Sequence, residues 1–173
     1  MIELILGGAR SGKSALAEQK AQASGLSVCY IATAALEDLA EDTEMLARIA
    51  HHQARRPEEW LLIEEPLHLA TMLKTLAAPD RLILVDCLTL WLSNLLHHDE
   101  LLRETQSLLA TLPTLPGHVI LVSNEVGMGI VPLGELSRRY VDEAGRLHQR
   151  LAAIADQVTF VAAGIPLQLK PRK

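Results

Sequence analysis

Residues 7–14 read Gly-Gly-Ala-Arg-Ser-Gly-Lys-Ser, directly after the apolar run Ile2–Leu6 and directly before a helix-like run over Lys13–Ala23. An octet G-x-x-x-x-G-K-S between a strand and a helix is a phosphate-binding loop, and each residue type in it has a physical task. The glycines let backbone N–H groups turn inward around an anion without Cβ clashes. Lys13 reaches the terminal phosphates as a point charge, and Ser14 offers its hydroxyl to Mg²⁺. A helix starting near Lys13 adds the positive end of its dipole. Gly7, Gly8, Ala9, Arg10, Ser11, Gly12, Lys13 and Ser14 are therefore the candidates for contact with a nucleotide's phosphates.

The rest of the chain alternates short apolar runs with longer helical ones. Strands are expected at Ile2–Leu6, Ser27–Ala32, Trp60–Glu64, Arg81–Asp86, His118–Ser123 and Gln157–Val161, with a last one, Pro166–Lys170, paired as a hairpin through Gly164. Helices are expected at Lys13–Ala23, Glu41–Ala54, Leu67–Ala77, Leu88–Leu96, Glu100–Leu112 and Gly134–Ala155. Leu82-Ile83-Leu84-Val85 and Val119-Ile120-Leu121-Val122 are apolar at every position, the signature of strands covered on both faces. The expected fold is a three-layer α/β phosphate-loop fold of the RecA-like kind. It has a mostly parallel central sheet and a C-terminal β-hairpin, and residues 1–173 form a single domain. Ligands of such sheets lie beyond the carboxyl ends of the strands. The Gly7 loop, Thr33, Glu64, Asp86 and Asn124-Glu125 all fall there.

Composition narrows the class. With 49% hydrophobic residues but only two Trp, two Tyr and one Phe, the core must be aliphatic. So few aromatics argue against a base-stacking platform, and a net charge of −5 supplies no basic field for nucleic acid. Cys29 and Cys87 sit in apolar runs and read as buried, reduced thiols, consistent with a cytoplasmic protein. No basic segment followed by a long apolar run marks a signal peptide, and no stretch suggests a membrane span.

Two further features carry chemistry. The apolar strand Arg81–Val85 ends in Asp86, and a carboxylate there can hold the Mg²⁺ that bridges nucleotide phosphates; capping of the next helix is the alternative. Residues 51–52 are His-His in the segment Glu41–Pro57. On a helical wheel Met45, Leu46, Ile49 and Ala50 form an apolar stripe, with His52 beside it and His51 nearly opposite, among Glu44, Arg48 and Arg55. The arginines disfavour a metal there, and no cysteine or third histidine stands at zinc-ligand spacing. They suit an imidazole that meets phosphate, because they neutralise its oxygens and keep the ring neutral and nucleophilic. A solvated helix face accounts for the spacing alone.

Gly7–Ser14, Tyr30-Ile-Ala-Thr33, Arg48-Ile-Ala-His-His52 with Arg56-Pro57, Val122-Ser-Asn-Glu-Val-Gly-Met-Gly-Ile-Val-Pro132 and Ala144–Ala152 together resemble one family. It is that of the bifunctional adenosylcobinamide kinase/adenosylcobinamide-phosphate guanylyltransferases of cobalamin biosynthesis. The resemblance runs over nearly the whole chain. It implies transfer of the γ-phosphoryl group of ATP or GTP to a hydroxyl of adenosylcobinamide. It then implies attack of a histidine on the α-phosphorus of GTP, and passage of GMP from that histidine to the phosphorylated substrate. By position His51 matches the nucleophile. Thr33, Ala34, Ala35, His52, Gln53, Ala54, Arg55, Glu64 and Asp86 fall at its nucleotide site, with Ser14 and Asp86 as Mg²⁺ ligands and Lys13 in a catalytic role. Glu64 suits the guanine edge, since a carboxylate accepts from N1–H and N2–H₂; a strand-end surface carboxylate is the alternative. The family also implies a homotrimer.

Asn124–Pro132 follows a strand on the ligand side, and its Met128, Ile130 and Val131 are expected to be exposed, for the bulky corrinoid or for a subunit contact. The rival readings are a plain small-metabolite kinase and a nucleotide-dependent switch. His97, His98 and His148 are expected in solvated or helix-end positions.

Overall fold

A computed structural model of the chain describes residues 1–35 and 57–171. Seven strands lie in one sheet: β1 (Ile2–Gly7), β2 (Ser27–Ala32), β3 (Leu61–Glu64), β4 (Arg81–Asp86), β5 (His118–Asn124), β6 (Gln157–Ala162) and β7 (Ile165–Lys170). Their order across the sheet is β3-β2-β4-β5-β1-β6-β7. Every neighbouring pair is parallel except β6 and β7, which form the antiparallel hairpin. The strand β5 thus separates β1, which leads into the phosphate loop, from β4, which ends in Asp86.

The helices are α1 (Lys13–Ala23), α2 (Leu69–Leu76), α3 (Leu88–His97), α4 (Leu101–Thr111) and α5 (Glu135–Ile154). The period of two along each strand divides the core. Leu4, Leu6, Ile31, Ile83, Val85, Val119 and Leu121 face α2 to α5, where Trp91, Leu73, Leu108 and Leu151 meet them. Ile5, Tyr30, Leu82, Leu84, Ile120 and Val122 face the other way, onto Ala17 and Ala21 of α1. Those two alanines, one helical turn apart, let α1 lie close on the sheet. Each fully buried Leu, Ile or Val contributes about 1.5–3 kcal/mol, so β1, buried at all six positions, anchors the loop that follows it.

Element limits differ from the sequence reading where local chemistry intervenes. The helix expected from Leu67 starts at Leu69, because the Glu65 carboxylate takes the N–H groups of Leu67 (2.9 Å) and His68 (2.7 Å) in a turn around Pro66. The helix expected over Glu100–Leu112 ends at Thr111 and tightens into a 3₁₀ turn, Leu112–Thr114, since Pro113 has no N–H to continue it. The hairpin turns at Ala163 and Gly164, both at positive φ, as the expected Gly164 turn requires. Both cysteines are free; Cys29 is buried as expected, whereas Cys87 is half-buried. The expected helix Glu41–Ala54 lies outside the described residues.

Candidate nucleotide site

The phosphate loop leaves β1 at Gly7 and enters α1 at Lys13. A Cβ on Gly7 would stand 2.5 Å from the Val161 carbonyl oxygen and 2.6 Å from Ser11 Oγ, so only glycine fits. Gly12 has φ 98°, and a Cβ there would press on Gly164 Cα at 3.2 Å. Arg10 is also left-handed, at φ 56°. Three tethers hold the loop. Lys13 Nζ donates to Gly8 O (3.1 Å), Glu125 N–H to Gly7 O (3.0 Å), and Gly164 N–H to Ser11 O (2.8 Å). The last brings the turn between β6 and β7 against the loop, so the C-terminal hairpin is part of the site's wall. No side chain caps α1, which leaves its leading N–H groups to an anion. Ser11 Oγ is buried without a partner in this loop.

Lys13 is only 8% exposed. Burial lowers its pKa, and the negative charge of Asp86 works against that loss. Asp86 stands at the end of β4 and accepts a hydrogen bond from Tyr30 Oη at 3.0 Å. Tyr30 was part of a sequence match, but its contact with Asp86 had no sequence signal. The two residues lie 56 positions apart and meet only because β2 and β4 pair in the register Tyr30 with Leu84. The next residue, Cys87, is joined to Asp86 by a cis peptide bond, and burial and Asp86 push its thiol up to about 11.

Thr33 is fully buried and spends its hydroxyl on that turn, donating to Cys87 O (2.6 Å) and accepting from Cys87 N (3.0 Å). Asn94 of α3 donates to Thr33 O at 2.8 Å and to Pro66 O at 3.1 Å, tying the ends of β2, β3 and β4 together. Ala34 and Ala35 are half-buried beyond β2, and Glu64 is exposed at the end of β3, paired in register with Ala32. The loop residues, Thr33, Glu64, Asp86 and Asn124 thus sit at one end of the sheet, the carboxyl ends of its parallel strands. His51, His52, Gln53, Ala54 and Arg55 lie outside the described residues.

Beyond β5, Met128, Ile130, Val131 and Leu133 are exposed, the first three as expected; Ile130 and Leu133 are each 98% exposed. His97 and His98 stand exposed at the end of α3, also as expected. His148 does not follow expectation. It is buried on α5, with Nε2 2.8 Å from Ser123 Oγ and Nδ1 3.6 Å from Glu125 Oε2. The signal was available, since Ala144, Leu147, His148 and Leu151 share one helical stripe and all four are buried.

Ser14 and Asp86 offer a hydroxyl and a carboxylate, both hard oxygen donors of the kind magnesium takes when nucleotide phosphates and waters complete its shell. Among the described residues no group of three or more His, Cys, Asp or Glu could hold a metal ion. Among them, too, no helix is long and apolar enough to cross a membrane.

Comparison with known proteins places nearly the whole chain in a family. Residues 3–169 match the family described as cobinamide kinase/cobinamide phosphate guanyltransferase. The chain is 60% identical over 173 residues to the bifunctional adenosylcobalamin biosynthesis protein CobP of Pseudomonas aeruginosa, covering 98% of each. It is 41% identical to the bifunctional adenosylcobalamin biosynthesis protein CobU of Escherichia coli, covering 98% of this chain and all of that one. Among solved structures, a protein of Pyrococcus horikoshii shares the fold at a TM-score of 0.58 and 10% identity, over 99% of this chain and 87% of that one.

Proposed function

Because the chain belongs to the cobinamide kinase/cobinamide phosphate guanyltransferase family, we propose that it carries out both transfers at the phosphate loop, the second through GMP bound covalently to His51. It is a bifunctional transferase of cobalamin biosynthesis that uses nucleoside triphosphates. The observation that carries the reading is the tethered loop Gly7–Ser14 facing Asp86 within a family match spanning residues 3–169.

In the kinase step the hydroxyl oxygen of adenosylcobinamide attacks the γ-phosphorus of ATP or GTP, the bond to the β-phosphate oxygen breaks, and the hydroxyl proton is released. Lys13, whose Nζ lies at the loop and donates to Gly8 O, offers its ammonium to the phosphates and offsets the charge that builds on them. In the guanylyl step a neutral His51 imidazole attacks the α-phosphorus of GTP and pyrophosphate leaves. An oxygen of adenosylcobinamide phosphate then displaces His51 and takes the GMP. Splitting the displacement in this way keeps two anionic reactants from meeting directly, and Arg55, four residues on from His51 in the sequence, adds positive charge. Ser14 and Asp86 would hold magnesium, which when bound would neutralise charge on the phosphate oxygens. Tyr30 orients the Asp86 carboxylate by its hydrogen bond, and Thr33 fixes the Asp86–Cys87 turn behind it.

Gly7, Gly8, Ala9, Arg10, Ser11 and Gly12 cradle the phosphates with backbone N–H groups. Ala34, Ala35, His52, Gln53 and Ala54 complete the nucleotide pocket, and Glu64 accepts from the guanine edge. Residues 1–173 act as one domain, and the working form is a homotrimer in the cytoplasm. The exposed row Ile165, Leu167 and Leu169 on β7 supplies apolar surface of the kind an assembly covers.

Intact mass after incubation with GTP and Mg²⁺ tests the mechanism. The wild type should carry a GMP-sized, acid-labile adduct that His51→Ala loses and His52→Ala keeps. An adduct lost only in His52→Ala moves the nucleophile by one residue, and a wild type that binds GTP yet forms no adduct sinks the covalent route.

A further inference from the structure

We propose that His148 is a positioning residue for the transfer chemistry, fixing the end of β5 against the phosphate loop through Ser123 and Glu125. The proposal rests on the assignment of both transfers to that loop. His148 belongs to α5, yet its imidazole faces Ser123 at the end of β5 and Glu125 just beyond it, beside Gly7. Ser123 Oγ lies 2.8 Å from Nε2, and Glu125 Oε2 lies 3.6 Å from Nδ1. Only the Ser123 contact is a hydrogen bond; Nδ1 is buried without a hydrogen-bond partner and meets the Glu125 carboxylate electrostatically, which favours a proton on Nδ1.

Glu125 carries the link onward. Its Oε1 accepts the Gly127 N–H at 2.7 Å, which starts the exposed loop, and its own N–H donates to Gly7 O at 3.0 Å, which starts the phosphate loop. Gly7 and Asn124 are register partners, as are Leu6 and Ser123. A second brace from the same helix runs beside it. Tyr140 Oη donates to Thr89 O (3.0 Å), and Thr89 Oγ1 accepts the Asn124 N–H (2.8 Å). One helix therefore holds the end of β5 at two points, and Gly7 takes its position from that strand end.

Packing alone does not call for histidine here. Ala144, Leu147 and Leu151, the other buried residues of the stripe, are apolar, and burying an imidazole among them costs desolvation that a leucine would avoid. What leucine lacks is the ability to join a hydroxyl to a carboxylate. The order Ser-His-Glu does not make Ser123 a nucleophile: the hydroxyl belongs to a buried strand position, only 2% exposed.

The test uses the full-length enzyme and steady-state kinetics of both reactions, with nucleotide Kd and Tm measured alongside. His148→Leu keeps the volume and removes the link; Glu125→Gln keeps an acceptor for Gly127 and removes the charge that faces His148. Each should lower kcat of both transfers about tenfold with corrinoid KM nearly unchanged, since a small misplacement of reacting groups acts on rate more than on binding. The double variant should be no worse than either single one, because both cut the same link. His148→Asn, whose amide stands where Nδ1 stood, should recover part of the rate. A His148→Leu enzyme with full kcat and only a shifted Tm would overturn the proposal, as would full kcat in Glu125→Gln should the leucine variant not fold. Absence of transfer in the wild type would instead mark failure of the functional reading, and the positioning role would fall with it.

Discussion

Two loops leave neighbouring strands at the same end of the sheet and are built in opposite ways. The phosphate loop after β1 is held at both flanks: Gly7 O by Glu125, Ser11 O by Gly164, Lys13 by Gly8, with Gly7 and Gly12 leaving no space for a side chain. The loop after β5 is anchored at its root, through Glu125 and Gly127, and then presents Met128, Ile130, Val131 and Leu133 outward. A small, rigid, highly charged group is served by fixed donors that need no rearrangement on binding. A large apolar ligand or a neighbouring subunit is served by surface that stays uncovered until the partner arrives. On the proposed function, the polar tethers mark where the chemistry occurs, and the bare aliphatic surface marks what has to be brought to it.

The largest effect is expected on the tethered side. Lys13→Ala should lower kcat of both reactions by about 10²–10³, the usual loss of one preorganised charged donor, while Tm holds or rises because a buried ammonium has been removed. Equal activity of this variant would erase the distinction between the two loops. Gly12→Ala should cost about 1–2 kcal/mol, the strain of a left-handed residue, seen as a Tm lowered by a few degrees together with weaker nucleotide binding. Unchanged nucleotide affinity would mean that the loop is less closely fitted than its geometry indicates.

A smaller effect concerns pH. Burial holds His148 below the ordinary histidine value of 6.5, with Glu125 opposing. The unfolded chain therefore binds a proton there more readily than the folded one, so this residue leaves stability intact above about pH 6.5 and lowers it as pH falls further. Between about pH 7.5 and about pH 5.5 the wild type should lose more Tm than His148→Leu does, and identical losses would show that the imidazole is not held neutral. The smallest effect belongs to the open loop. Met128→Ala with Val131→Ala should leave Tm within the range of surface substitutions, about 0.5 kcal/mol, and leave GTP KM unchanged while corrinoid KM rises severalfold. An unmoved corrinoid KM would assign that surface to subunit contact.

Much of this was legible in the chain because the signals are local. Strand positions follow from four- to six-residue apolar runs, and the phosphate loop is a contiguous octet whose neighbours on both sides agree with it. The exposure of Met128, Ile130 and Val131 was also readable, since they follow a strand end between glycines. What was not legible depends on pairing across the sheet. Tyr30 meets Asp86 over 56 positions and Thr33 meets Cys87 over 54, and each contact exists only in the register that places Ala32 beside Asp86. His148 lies between these cases: its helical stripe announced burial, but its neighbours are Ser123, on a strand 25 positions earlier, and Glu125, just past that strand.

The turn at Gly164 also gives the protein an order of assembly. The loop of residues 7–14 is synthesised well before the strand that packs beside it, β6, and before the Gly164 N–H that holds Ser11 O. A nascent chain therefore carries its phosphate-binding residues long before it has a formed phosphate-binding site, and competence to hold nucleotide arrives only when the hairpin closes. Chains terminated before Phe160 should retain no nucleotide, so a prematurely released product would not sequester GTP.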